Sequence, residues 1–149
     1  MHSLFEEETA HSVISRLQKL NEGHKPLWGK MNPAQMMSHC CITMEVARDQ
    51  KHIKRIPASY FIGFMMKKGF FNEKPVPKNT PTHTLFIRTD DAGIEKERAE
   101  LIHHIEAFQK GGKDKCTTQP HAFFGKITQD QWAIGMYKHL DHHLKQFGV

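Results

Sequence analysis

The chain has 149 residues, enough for one domain with a real core and too few for two. Its 38% apolar and 25% charged residues are those of a soluble globular domain, and the net charge of +5 comes from Lys and Arg scattered along the chain. No long basic run interleaves with aromatics, which argues against a nucleic-acid partner. The longest apolar run, Tyr60 to Met66, is far short of the roughly 20 residues that span a bilayer, so no membrane partner is expected.

The first segment is acidic and lacks an apolar stretch, so no signal peptide is expected. A first helix is predicted over Phe5–Leu20, with Val13, Leu17 and Leu20 on one face. A second starts at Pro33, where Asn32 is placed to cap and Gln35 to close a capping box, and runs to about Arg48. Inside it lie Cys40 and Cys41; with Cys116 they make three cysteines, adjacent or isolated, which build neither a disulfide framework nor a CxxC zinc knuckle. A reducing, cytoplasmic setting follows as the expectation. A third helix, Ala58–Phe71, is rich in Phe and Met. Its Tyr60–Met66 run is expected to pack into the core, with the wall of a substrate cavity, or a surface that binds a membrane or a partner, as the alternative.

From Asn72 to Arg88 three prolines (Pro75, Pro77, Pro81) forbid a regular helix and predict an ordered crossing loop. A fourth helix is predicted over Asp91–Lys110, with Ile94, Leu101, Ile105 and Phe108 as its apolar stripe and Gly111-Gly112 as its end. In the loop before the last helix, Phe123 and Phe124 beside His121 are expected to plug the core, or else to cover a pocket. The last helix begins at Thr128, which with Gln131 forms another capping box, and runs to about Phe147. No segment alternates as a strand does. The expected architecture is a single all-α domain over residues 1–149, a four-helix bundle with an additional short helix.

The last helix carries the chemistry. At about 100° per residue, Trp132, Met136, His139, His143 and Phe147 share one stripe, opposite Lys138, Asp141 and Lys145. Two imidazoles four residues apart then face the apolar interior, where unpaired polar groups are costly and a divalent metal satisfies both. A zinc-type catalytic centre takes three protein ligands and keeps one position open. Among twelve histidines, His39, at the margin of the second helix's apolar face, is the candidate third ligand; a hydrogen-bonded core histidine is its alternative. His142 falls at the rim of the stripe, as a support for the ligands or a wall of the pocket. Gln146 is placed to bond a ligand imidazole or a metal-bound water, unless it is a surface amide. His103 points away from its helix's stripe and His104 lies at its border; His2, His24, His52 and His83 are expected in solvent.

Three other metal schemes fail on the residues. Leu140 stands where HExxH chemistry needs Glu. The di-iron pairs Glu8/His11 and Glu100/His103 fall on polar helix faces, and the last helix has no Glu. No paired-cysteine knuckle exists for a zinc finger. No general base is evident, leaving His142, His121 and Glu45 by elimination.

Asn32-Pro33-Ala34-Gln35-Met36-Met37-Ser38-His39 with the distal His139-x-x-His142-His143-x-x-Gln146 resembles the DinB/YfiT-like superfamily of metalloenzymes. Lys25-Pro26-Leu27-Trp28-Gly29-Lys30-Met31 and His121-Ala122-Phe123-Phe124-Gly125-Lys126 resemble a branch with a His-Pro-Phe-Phe-Gly-like loop. The resemblance spans about Trp28 to Gly148. It implies a DinB-like four-helix bundle holding a divalent metal (Zn, Ni or Fe) on His39, His139 and His143, with water or a low-molecular-weight thiol at the open position. It further implies thiol S-transfer or hydrolysis of a small-molecule substrate, and a homodimer, the form many members take. Two departures stand out: Leu144-Lys145 replaces an Arg-Gly found in many members, and Ala122 replaces proline, which is expected to loosen that loop. A binding or stress-response module with a structural metal is the alternative reading.

Overall fold

The computed structural model describes residues 1–80 and 86–149. Among them it is all-α. Five α-helices, α1 (Glu7–Leu17), α2 (Pro33–Ala47), α3 (Ser59–Phe70), α4 (Ile94–Gly111) and α5 (Gln129–Gln146), are accompanied by a short 3₁₀ turn at Lys113–Lys115. No helix among these residues is long and apolar enough to cross a membrane. Pro81 and His83 lie outside the described residues.

Both predicted capping boxes form. The Asn32 side chain accepts from the Gln35 N–H while Gln35 bonds back to the Asn32 N–H, and Thr128 and Gln131 repeat the arrangement. Each box satisfies two orphan N–H groups and fixes where α2 and α5 start. The ends of α1 and α4 differ from expectation. Leu4 and Leu20 are buried although both lie outside α1, so the apolar pattern extends beyond the helical residues. α4 begins at Ile94 because Gly93 takes φ +92°, and the Asp91 carboxylate accepts from the Gly93 N–H in front of it.

α1 packs on α4 and α5, and α2 packs on α4 and α5, which closes a ring of four helices; the α2–α4 contact is the most extensive. Its centre is filled by Leu17, Met37, Met44, Leu101, Ile105 and Trp132, all nearly or fully buried. α2 is apolar around most of its circumference because it lies between α4, α5 and the crossing segment. That central position carries His39 into the interior.

α3 stands outside the ring, and here the expectation of core packing fails. Phe61 is 90% and Phe64 80% exposed, and Tyr60, Ile62 and Met65 also face solvent. The opposite face of α3 turns Met66, Gly69 and Phe70 onto a cavity against α5. The Lys138 ammonium of α5 donates to the carbonyls of Phe70, Asn72 and Lys74 at 2.6–2.8 Å, which ties the end of α3 to the bundle.

Candidate metal centre

α2 and α5 bring His39, His139 and His143 together. One ring nitrogen from each lies within 4.8 Å of the others, and the ring centroids are 4.7–5.0 Å apart. The orientation of each ring is set by what its Nδ1 meets. His39 Nδ1 donates to the Phe86 carbonyl at 2.8 Å. The Thr43 hydroxyl donates to the Cys40 carbonyl, so its oxygen is left to accept from His139 Nδ1 at 3.3 Å. His143 Nδ1 donates to the Gln146 amide oxygen at 2.8 Å, and that amide is held in place because its nitrogen donates to the Trp28 carbonyl at 2.6 Å.

All three Nδ1 atoms therefore carry the proton, and all three Nε2 atoms carry a lone pair. His39 Nε2 and His139 Nε2 lie only 3.0 Å apart. Two lone pairs at that distance repel unless a cation lies between them or one ring shifts its proton to Nε2 and donates to the other. An ion bound about 2.1 Å from each of two imidazole nitrogens fits between atoms so spaced. A ligand imidazole that passes its second N–H to an oxygen is the usual support of a metal site. The three histidines thus fit a divalent metal in both number and tautomer.

Burial holds the cluster neutral. It pushes His143 down to about 3 and His139 well below the ordinary range. His39 is lowered by burial too, with the Arg88 charge adding to it. Neutral imidazoles are the metal-binding form.

The other proposed participants fall into place around this cluster. Gln146 is buried and holds the His143 imidazole; it is no surface amide. Gly29 makes room for it: a Cβ there meets the Gln146 amide nitrogen at 2.6 Å, and φ is +79°. We expect Gln146→Ala to weaken metal affinity by about 10- to 100-fold, read by competition with a chelator, because His143 loses the partner that fixes its tautomer. His142 stands outside the three-histidine cluster. Its ring tilts against Trp28 at 5.4 Å and bonds the Val76 backbone. Trp132, Met136 and His121 line a cavity of ≈ 560 Å³ that reaches all three clustered histidines. Phe123 and Phe124 line it as well while packing against the buried core, so the aromatic loop both covers the core and walls the cavity.

Ala122 does not leave that loop free. Its carbonyl accepts from Ile56, and its methyl packs with Ile42, Ile53 and Phe86. The remaining candidates drop away. Glu45 pairs with Lys51 on the outer side of α2, and Glu8, His11 and His103 are exposed. His104 is buried, contrary to its border placement, and accepts from Arg48 at 2.6 Å. The three cysteines are free and buried; burial raises the thiols, Cys41 and Cys116 to about 12, which disfavours the nucleophilic thiolate. Three supports escaped the sequence: the Thr43 hydroxyl and the carbonyls of Phe86 and Trp28. Backbone carbonyls carry no residue signature, and only the β-hydroxyl one turn from His39 offered a cue.

Fold and site together define an all-helical protein with a three-histidine cluster built into the wall of an apolar cavity. The chain belongs to the DUF1569 family, described as a protein of unknown function, whose pattern matches residues 6–148. No curated protein and no solved structure matches it.

Proposed function

We propose that the protein is a divalent-metal-dependent enzyme of the thiol S-transferase or hydrolase type, acting on a small, largely apolar molecule. The observation that carries this reading is the convergence of three unprotonated Nε2 atoms on the border of an open apolar cavity. A divalent cation supplies Lewis acidity, which lowers the pKa of a water or thiol toward neutrality. His39, His139 and His143 would hold it, each oriented by its own oxygen acceptor. Trp28, Phe70, Phe124 and Met136 shape the space beside it and exclude water from a bound substrate. The likeness to the DinB/YfiT-like superfamily, and a choice among zinc, nickel and iron, belong to the same proposal.

A structural metal calls for a fourth protein ligand. Among the described residues the cluster has three, and all three line the open cavity. Co²⁺-loaded protein titrated with 2-mercaptoethanol separates the two cases. An open site gives new sulfur-to-cobalt charge-transfer absorption, lost in His139→Ala. A spectrum unchanged by thiol contradicts an open, catalytic centre.

A further inference from the structure

His121 lines the same cavity but takes no part in the histidine cluster. It opens a tight loop closed by paired backbone bonds: His121 N–H to the Gly125 carbonyl at 2.9 Å and Gly125 N–H to the His121 carbonyl at 3.0 Å. Gly125 has φ +67°, and a Cβ there meets the Arg55 guanidinium at 2.8 Å, so the loop closes only on glycine. Within the loop, His121 Nδ1 accepts from the Phe123 N–H at 3.1 Å and the Phe124 N–H at 3.3 Å. An acceptor of two N–H groups carries the lone pair, so the ring proton sits on Nε2.

The ring cannot turn over to exchange these roles. It stacks on Phe124 at 4.4 Å and 12° and abuts Trp132 at 5.0 Å, and a flip loses both backbone donors. Among the described residues Nε2 has no hydrogen-bond partner, and His121 is only partly buried where it lines the cavity. The indole N–H of Trp132 is also unpaired, but it is sealed. Burial lowers His121 to about 4, so the ring is a neutral donor at physiological pH. That removes it from the possible general bases: its only free nitrogen already bears a proton.

We propose that His121 presents Nε2–H as a fixed hydrogen-bond donor to the bound molecule, which makes the cavity a site for an apolar compound carrying a carbonyl-type oxygen. A ligand without an acceptor leaves this desolvated donor unpaired, and discrimination arises from that penalty. The inference rests on the metal-centre reading for what happens to the substrate, but not for its binding. His121 is in these terms a substrate-positioning residue.

The test uses metal-free protein, so that no ion can bind the probe. Cyclohexyl methyl ketone and ethylcyclohexane are titrated against the fluorescence of the two tryptophans, both of which line the cavity. Wild type is expected to bind the ketone about three- to tenfold more tightly than the hydrocarbon. His121→Asn keeps an oxygen where Nδ1 accepts the two backbone N–H groups, but its shorter amide leaves no donor at the Nε2 position; it should bind both probes with the hydrocarbon's affinity. His121→Gln reaches the Nε2 position with its amide nitrogen and should keep the preference. The imidazole ¹⁵N spectrum of wild type should show a neutral ring protonated at Nε2. A preference that persists in His121→Asn overturns the proposal, as does wild type that binds neither probe or binds both alike, or a ring protonated at Nδ1. Failure of the three histidines to bind metal would leave this result standing and would sink only the metal reading.

Discussion

Metal-free protein given Zn²⁺ or Ni²⁺ should gain about 4 kcal/mol of stability when free ion is a thousandfold above its Kd, about 10 °C in melting temperature for a domain of this size. His143→Ala should show no comparable gain. Without an ion the fold holds two imidazole lone pairs 3.0 Å apart in a setting too apolar for them to be protonated. An ion converts that repulsion into coordination, and it binds only the folded chain, which alone brings α2 and α5 together. The variant keeps His39 and His139 with their own acceptors, so its metal-free fold should survive and the comparison stays interpretable. Thermal melts of both proteins in chelator and in excess metal read the effect. An equal shift in both would place the ion elsewhere.

The second large effect is acid sensitivity of the metal-free protein. Unfolded histidines take up protons near pH 6.5, while burial keeps His143 neutral in the fold down to about 3. Below pH 6.5 the unfolded chain binds more protons than the folded one, so stability falls as pH falls. His143 alone should cost on the order of 2 kcal/mol between pH 7.5 and pH 5. His39, His139 and His121, lowered for the same reason, act in the same direction. So does His104, outside the site, which is lowered by burial and by the charge of Arg48. Urea midpoints in chelator at pH 7.5, 6 and 5 measure the slope; stability level across that range would contradict neutral burial of the cluster. Excess metal should move the loss to lower pH, since protons and metal compete for the same nitrogens.

The elements that could be read from the chain are those fixed by local chemistry. Asn32/Gln35 and Thr128/Gln131 declare helix starts because the capping residues are within three positions of one another. The stripe Trp132–Met136–His139–His143 was legible because helical period converts directly into a shared face, and the face of α5 that carries it does turn inward. α3 shows the limit. The spacing of Tyr60, Phe61, Phe64 and Met65 defines a face, but periodicity does not say whether another element covers it, and here none of the ring helices does. His104 was misplaced for a related reason: a border residue goes inside when a distant partner, here Arg48, meets it.

Within the site, the ligands were legible and their supports were not. His39 needed a carbonyl from the crossing segment, and His143 needed an amide locked by the Trp28 carbonyl. Both depend on where remote loops settle, and any residue type supplies the same carbonyl. His121 illustrates the same gap. Its residue type suggested a base, while two backbone N–H groups from its own loop make it a donor.

The central claim is that three converging Nε2 atoms hold one metal ion. Elemental mass spectrometry on untagged protein, wild type beside His143→Ala, tests it most directly. The account predicts about one zinc, nickel or iron per wild-type chain, one ion for its single three-histidine set, and a negligible amount in the variant. Equal content in the two proteins, or none in either after loading with each metal, would contradict it.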